Sequence, residues 1–339
     1  MNELVSNDPR NSERIFPYLG GDELNSSPTH LHRRYVIFFA GMALDEAAQW
    51  PELLAIVREK VKPERDEANR SAQVLKWWQF GDWRPGLFAA TTGLKRMLCV
   101  VFVSEHLGFV WLPTGRIVSH NVGVFATERD EFFCVVQSRV HETFAIQLSG
   151  GLEDRQGYRP SDGFEPFPFP RGFIQNKKLA NLGQRYYQSR SAYMDREQIG
   201  LTKVYNRFHD PNEHSPEILD LRELHAAMDF AVLEAYEWQD LSDGAKCEFI
   251  LDFENDEGDE EGVSSGRSRK KPWRYRWPDD FRDEVLARLL ELNRTRAQEE
   301  ANSLPAAPAP NTSGKRGRKS SKVAPVASPN LFEVQEPTE

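Results

Sequence analysis

The sequence predicts an α+β fold, and three observations lead to this prediction. Three short runs rich in β-branched and aromatic residues, at 97–103, 108–112 and 122–127, are typical of strands. Longer stretches with apolar residues at helical spacing follow from residue 130 onward. Strands and helices alternate without the regular strand–helix–strand rhythm of a doubly wound sheet. We therefore expect a mixed sheet followed by a mainly helical region.

The N-terminal part is expected to extend the sheet. Residues 1–32 are polar and predict irregular structure. The helix at 51–60 begins with a proline, which suits the first helical position. In chain order, we expect a turn at 17–21, a strand at 35–39, a helix at 51–60, an aromatic strand or turn at 77–80 with Trp77 and Trp78 in the core, and a short helix at 87–96.

The second half is expected to be helical or a tail. One continuous helix is predicted at 130–148, because its apolar residues form a single stripe. Ser215 and Pro216 suit the N-cap and first turn of a long helix. Further helices are predicted at 178–198, 200–208 and 279–300. The composition from residue 304 onward predicts a disordered tail. The expected domains are 1–172 with the sheet, 173–303 with the helices, and the tail 304–339.

Composition and charge set limits on function. The chain has 339 residues, 39% of them hydrophobic, and a net charge of -9. Residues 1–172 contain 19 Lys and Arg against 22 Asp and Glu, so the negative charge lies mainly further along the chain. Nucleic-acid binding needs a local basic face and not a basic total. The charge therefore neither supports nor excludes DNA as a partner.

Cysteine usage and hydropathy point to a cytoplasmic location. The three cysteines are expected to be reduced thiols, two of them in apolar surroundings. The sequence contains no apolar run of membrane-spanning length and no secretory signal. We therefore expect a cytoplasmic protein that does not enter a membrane.

Catalytic motifs are largely missing. There is no GxGxxG, P-loop or HExxH motif. Residues 262–266 match GxSxG, but they lie between an acidic and a basic run and not at a strand-to-helix turn. His209 and His214 flank Asp210-Pro211, where we expect a solvated turn and not a metal site. The sequence predicts no active site and no bound metal.

Several basic segments allow two interpretations. The run 315–319 suits either phosphate binding or a solubilising tail. The run 267–276 is interleaved with aromatic residues, which suits either phosphate binding or docking of the last helix. Four arginines near strand ends or turns suit either DNA-backbone contact or simple solvation. These four are Arg34, Arg65, Arg84 and Arg96.

Many ordered segments between residues 8 and 300 together resemble one family. The sequence is similar to the fused type II restriction–modification enzymes of the MmeI kind, which carry an adenine-specific DNA methyltransferase domain. The segments are DPRN (8–11), IFPYLGG (15–21), RYVI (34–37), VKPER (61–65), WWQF (77–80), QSRVHE (137–142), residues 158–170, LTKVYNRFHDP (201–211), residues 221–236 and KPWRYRWP (271–278).

The resemblance covers only the C-terminal part of these enzymes, namely the target recognition domain and the helical domain after it. The family's nuclease motif, its S-adenosylmethionine loop and its Asn-Pro-Pro-aromatic motif have no counterpart here. S-adenosylmethionine and Mg are therefore expected only in the missing catalytic domains. The resemblance implies a DNA-recognition module that binds double-stranded DNA, with catalysis in a chain encoded upstream. Two alternatives remain open, a methyltransferase completed in trans and a truncated remnant.

The resemblance also implies which residues contact bases. Before its Tyr-x-Pro-Ser segment the family carries two polar residues, two positions apart, that recognise one base pair. Glu153 and Arg155 occupy these positions, whereas Gly157 stands where a further base-contacting arginine is usual. His120 and Asn121 are weaker candidates for base contact, and Arg159 is a candidate for the DNA backbone. Without the resemblance, 153–155 would be interpreted as a solvated loop.

Overall fold

The computed structural model describes residues 1–67, 76–152, 155–242, 244–251 and 273–303. Within them, helices and short strands alternate through the first 157 residues, and helices dominate afterwards. The helices are α1 (Asn2–Asn7), α2 (Gly21–Ser26), α3 (Leu44–Ala47), α4 (Pro51–Lys60), α5 (Lys62–Glu67), α6 (Pro85–Thr91), α7 (Asp130–Gln137), α8 (Arg139–Ser149), α9 (Lys177–Glu197), α10 (Leu201–His209), α11 (Pro216–Ala235), α12 (Gln239–Ser242) and α13 (Asp279–Ser303). The strands are β1 (Ile15–Leu19), β2 (Arg34–Ile37), β3 (Arg96–Val101), β4 (Val103–Ser104), β5 (Phe109–Pro113), β6 (Ile117–Val118), β7 (Val122–Phe125), β8 (Gly151–Leu152), β9 (Arg155–Gly157), β10 (Glu248–Leu251) and β11 (Trp273–Arg276). The α+β prediction is confirmed.

The central sheet has the strand order β5–β3–β7, and all of its pairs are antiparallel. The middle strand is almost fully buried, from Met97 to Val101. Helix α7 covers one face, where Phe132 contacts Phe125 and Phe133 contacts Trp111. Burial on both faces explains why the sequence of β3 is a continuous apolar run and not an alternating one.

A second sheet joins the N-terminal residues to the central region. β1 pairs antiparallel with β2 and parallel with β6. The prediction that 1–32 is irregular is wrong, because this stretch contains α1, β1 and α2. Pro17 lies inside β1. Because proline has no backbone N–H to donate to a neighbouring strand, its presence favoured a turn over a strand in the sequence. Pairing with β6 begins at Tyr18, one residue after the proline.

The single helix predicted at 130–148 is in fact two helices. Ser138 has extended backbone angles (φ -70°, ψ 156°) and separates α7 from α8. Its side chain accepts from the backbone N–H of His141 at the start of α8. The backbone N–H of Arg139 donates to Asp229 Oδ1 at 2.8 Å. A distant carboxylate therefore satisfies a donor that a helix start leaves without a partner.

The expectation that everything after residue 170 is helical or a tail is also wrong. β10 and β11 form an antiparallel pair, with Leu251 opposite Trp273. For the basic run 267–276, the interpretation that its aromatic residues dock the last helix is supported. Trp277, directly after the run, is buried and contacts Phe281 of α13. Four other predicted features after residue 170 lie outside the described residues. They are the acidic run 252–261, the GxSxG match 262–266, the basic residues 267–272 and the tail 304–339.

The hydrophobic core continues across the boundary expected at residue 172. Helix α9 packs against α7 on one side and α11 on the other. The same cluster contains Phe133 of α7, Tyr186 of α9 and Met228 of α11. A smaller core around Trp50, Leu53 and Trp77 lies under the N-terminal helices. The helices after 172 therefore support the sheet region directly.

Candidate nucleic-acid interface

The segment that carries the main base-contact candidates is a β-hairpin attached to the rest of the fold by β4. β8 and β9 pair antiparallel, with Leu152 opposite Arg155, and β9 pairs with β4, with Gly157 opposite Val103. Two residues, Glu153 and Asp154, connect β8 to β9. Both lie outside the described residues, as does the side chain of Arg155. We call residues 151–157 the hairpin.

The base of the hairpin is tightly held. Gly150 ends α8 with a φ of +68°, a conformation that favours glycine. A Cβ at Gly157 would lie 2.7 Å from the carbonyl oxygen of Gly150. Arg159 N–H donates to Ser149 Oγ at 3.0 Å, and Tyr158 N–H donates to the Phe102 carbonyl at 2.7 Å. Position 157 therefore has no room for the arginine that the family resemblance would place there.

The loop with the second pair of candidates lies beside the hairpin. The Phe102 N–H donates to the Asn121 carbonyl at 2.9 Å, so the two segments run side by side. Ser119 Oγ donates to the side-chain oxygen of Asn121. His120 between them is exposed. The fold therefore brings His120 and Asn121 next to the segment that carries β4 and the hairpin.

Arg34 borders the same loop. Its guanidinium donates to both oxygens of Glu23 at 3.0 Å, yet its side chain is 58% exposed. A Cβ at Gly20 would lie 3.4 Å from Arg34 Nη2 and 3.9 Å from Ser119 Cβ, so the arginine and the loop both lie close to Gly20. Burial raises the pKa of the Glu23 carboxyl, but hydrogen bonds from backbone N–H groups and Arg34 outweigh it, and the net shift is downward. Arg34 is thus an oriented cation that still faces solvent.

Arg159 follows the hairpin in the chain, two residues after β9. Its side chain is 63% exposed, and its contact with Asp162 Oδ2 is 3.7 Å long. Its backbone carbonyl accepts from Asp162 and Gly163, so the residue itself is well fixed. We call the surface formed by Arg34, loop 119–121, residues 102–104, the hairpin and Arg159 the hairpin edge.

The three other predicted backbone contacts lie elsewhere. Arg65 donates to the carbonyls of Lys76 and Gln79, and burial lowers its pKa. Arg96 pairs with Asp130 at 2.9 Å and lies over the Trp111 ring. It starts β3, whose six residues carry the chain roughly 20 Å before Phe102. Arg84 precedes α6 in a left-handed conformation (φ +52°). These three arginines are not part of the hairpin edge. Their contact with DNA stays a prediction.

Sequence reasoning missed a buried polar network between α8, α10, α11 and β11. The carboxylate of Asp229 pairs with the guanidinium of Arg139 at 2.7 Å, and Arg139 also contacts His225 Nδ1 at 2.7 Å. Burial raises the pKa of Asp229, but the charge of Arg139 and the contact with His225 outweigh it, and the pKa is lowered. The only sequence signal was the presence of charged residues on apolar helix faces.

Two histidines extend this network towards β11. His106 contacts Asn206 Oδ1 at 2.5 Å and Arg274 Nη1 at 2.8 Å. His209 Nδ1 accepts from the Tyr275 N–H at 3.0 Å, and the two imidazole rings stack at 5.1 Å. The turn predicted at Asp210-Pro211 is present, with Asp210 exposed, but His209 itself ends α10 and packs on His106. The network connects α8, α10, α11 and β11 through polar contacts.

The described residues contain neither a candidate metal site nor a candidate membrane-spanning helix. No group of three or more His, Cys, Asp or Glu side chains in the described ranges is placed to hold a metal ion. Among the helices that the structure describes, none combines the length and apolar character needed to cross a membrane.

Comparison with known proteins supports the resemblance. The model of the family described as MmeI, target recognition domain, matches residues 1–171. The fold is similar to that of the type IIL restriction-modification enzyme MmeI solved in complex with DNA, with a TM-score of 0.59 and 17% sequence identity. The match covers 88% of this chain and 33% of that chain, so this chain spans about a third of that enzyme's length. Comparison with curated proteins gives no match.

Proposed function

This chain belongs to the MmeI target recognition domain family, and from this premise we propose that it recognises a specific sequence in double-stranded DNA for a restriction–modification system. The observation that carries the proposal is the assembly of the hairpin edge. A series of contacts links candidates far apart in the sequence, from Arg34 through loop 119–121 and residues 102–104 to the hairpin and Arg159. A two-stranded β-ribbon fits the major groove of B-form DNA, where each base pair presents a distinct pattern of donors and acceptors.

The flanking arginines suit the DNA backbone. Phosphate contacts fix the register of a protein on the duplex, while base contacts provide the specificity. Arg34 and Arg159 both keep more than half of their side-chain surface exposed. The net charge of -9 opposes non-specific binding. We therefore expect weak, steeply salt-dependent binding to random DNA, with dissociation constants on the order of 10⁻⁴–10⁻⁶ M at physiological salt.

Within the hairpin we propose that Glu153 and Arg155 recognise one C·G base pair. The cytosine N4 amino group donates to a carboxylate, and guanine O6 and N7 accept two hydrogen bonds from a guanidinium. Arg155 pairs with Leu152 at the end of the paired strands furthest from α8, and Glu153 follows Leu152 directly in the sequence. Loss of either contact should cost about 1–3 kcal/mol at that base position.

Selection from a random duplex library, followed by sequencing of the bound fraction, tests the proposal. The wild-type chain should enrich one motif. The double variant Glu153→Lys with Arg155→Asp should exchange C·G for G·C at one position and keep the others. The control Glu165→Lys with Arg171→Asp makes the same charge changes at exposed residues outside the hairpin edge. Enrichment of no motif by the wild type would contradict sequence recognition. An unchanged motif in the double variant would exclude this pair as the determinant.

Methyl transfer and DNA cleavage belong, in this proposal, to residues outside 1–339. The sequence lacks the family's S-adenosylmethionine loop and Asn-Pro-Pro-aromatic motif. The described residues also offer no cluster suited to Mg. A separate catalytic chain, or further sequence of the same protein, would supply both activities and both cofactors. Such a system acts on cellular DNA, which places the protein in the cytoplasm.

A further inference from the structure

A cleft opens at the base of the hairpin, and no base-contact candidate lines it. Its volume is about 280 Å³. The walls are mostly carbon, and the residues that line the cleft include Phe102, Val103, Tyr158 and Pro160. Volumes of roughly 300–1,000 Å³ are usual for small-molecule pockets, so a cleft of this size suits one small unit of a ligand.

The cleft combines an exposed apolar wall with a cation at its rim. Val103 is 41% exposed, which is unusual for a valine in a paired strand. The exposed Arg159 side chain lies at the rim together with Ser161. The carboxylate of Asp162 accepts a hydrogen bond from Ser161 at 2.9 Å and lies 3.7 Å from Arg159. That distance is longer than a hydrogen bond, so the guanidinium keeps donors for another anion.

We propose that this cleft seats one deoxyribose-phosphate unit of the DNA strand that the hairpin contacts. The phosphate binds Arg159, and the deoxyribose carbons pack against Val103 and Pro160. An arginine fork matches a phosphate with two hydrogen bonds, and an apolar wall suits the sugar's carbon face. The Arg159 backbone is tied to Ser149 at the end of α8, so the seat would fix the hairpin's register on the duplex. This inference rests on the proposed function, because it assumes that the hairpin approaches DNA.

Fluorescence anisotropy with the full chain and a labelled mixed-sequence duplex of about 20 base pairs, over about 50–200 mM salt, tests the seat. Arg159→Ala should weaken binding roughly tenfold and reduce the slope of log K against log salt by about 0.9, the value for one phosphate contact on B-DNA. Arg159→Lys should restore the slope, because it restores the charge. The control Arg171→Ala removes an exposed arginine that pairs with Glu299 away from the cleft.

The cleft wall is tested separately by two nearly isosteric changes at one position. Val103→Asp places a negative charge in the wall that the deoxyribose contacts, close to the bound phosphate, whereas Val103→Asn is similar in shape and neutral. The aspartate variant should bind at least about fivefold more weakly than the asparagine variant, with circular dichroism melting curves to confirm that both are folded. Equal binding by Val103→Asp and Val103→Asn would overturn the proposed cleft site, as would equal binding by Arg159→Ala and Arg171→Ala. Either result would leave the proposed function standing. If the wild type binds no duplex even at low salt, both the seat and the proposed function fail.

Discussion

The carboxylate of Asp229 accepts two hydrogen bonds from Arg139, one from the backbone N–H at 2.8 Å and one from the guanidinium at 2.7 Å. Both residues are almost completely buried. Arg139 begins α8, and α8 ends at Ser149, which only Gly150 separates from the hairpin. The pair therefore connects the helical region to the helix that carries the candidate recognition element.

Asp229→Ala should lower the free energy of unfolding by about 3–5 kcal/mol, because it leaves the buried Arg139 guanidinium without its counter-charge. Urea denaturation measures the change. The control Asp240→Ala removes an exposed carboxylate that pairs with Arg288 and should cost at most about 1 kcal/mol. The paired change Arg139→Met with Asp229→Leu should recover much of the loss. Equal effects of the two single variants would contradict a special role for the buried pair.

Stability should fall as the pH drops below about 6.5, the value of an unfolded histidine. Burial, helped by the charges of nearby arginines, lowers the pKa of His30 to about 4 and of His106 to about 3. Burial alone lowers the pKa of His141 to about 3. The unfolded chain therefore binds more protons than the folded one between pH 6.5 and these values, and stability is lost across that window.

His30→Asn should flatten this pH dependence, by at most about 1.4 kcal/mol per pH unit for one titrating group. Asparagine suits the position, because His30 has a φ of +52° and asparagine tolerates that conformation. Melting temperatures between pH 4 and 7.5 measure the slope. The comparison variant is His214→Asn, at an exposed site, and it should change the slope less. Identical slopes in the wild type and His30→Asn would show that burial of this imidazole is unimportant.

Gly157→Ala should destabilise the protein by about 1–3 kcal/mol, since the added carbon would lie 2.7 Å from the Gly150 carbonyl. Gly86→Ala is the matched control. That glycine lies in α6 with open space around its Cβ position, and alanine is the better helix former. The control should be neutral or slightly stabilising in thermal melts. A neutral Gly157→Ala would mean that the hairpin base can adjust, which would reopen the position to an arginine.

Removal of 304–339 should leave the melting transition of residues 1–303 unchanged. The tail has no apolar periodicity to offset the entropy of ordering it. Calorimetry on the full and shortened chains makes the comparison. A less cooperative transition in the shortened chain would show that the tail packs against the fold.

The purified chain should transfer no methyl group to DNA and cut no DNA by itself, because the sequence lacks the motifs for both reactions. Labelled S-adenosylmethionine with mixed-sequence duplex DNA tests methyl transfer, and gel analysis of the same duplex tests cleavage. A heat-denatured sample gives the background. Label incorporation above that background would refute the prediction.

Local patterns predicted the type of most elements correctly. The helix at 51–60 was predicted with the bounds that α4 has, and the central strands were predicted to within a few residues. Helix α9 was likewise predicted to within one residue at each end. Apolar periodicity, a proline at a helix start and β-branched runs are properties of neighbouring residues, so a sequence displays them directly. The family resemblance was visible for the same reason, since it consists of contiguous segments.

The sequence by itself determined the α+β class, the main helices and strands, and the family whose target recognition domain this chain shares. Only the tertiary structure decided that the helix at 130–148 breaks at Ser138. There Asp229 accepts a hydrogen bond from the backbone N–H of Arg139. Only the tertiary structure brought Arg34, His120 and Arg159 to one edge and engaged Arg65 and Arg96 elsewhere. The physical reason is that these outcomes depend on partners tens of residues away, and a local pattern of apolar and charged residues carries no record of which distant atoms will meet.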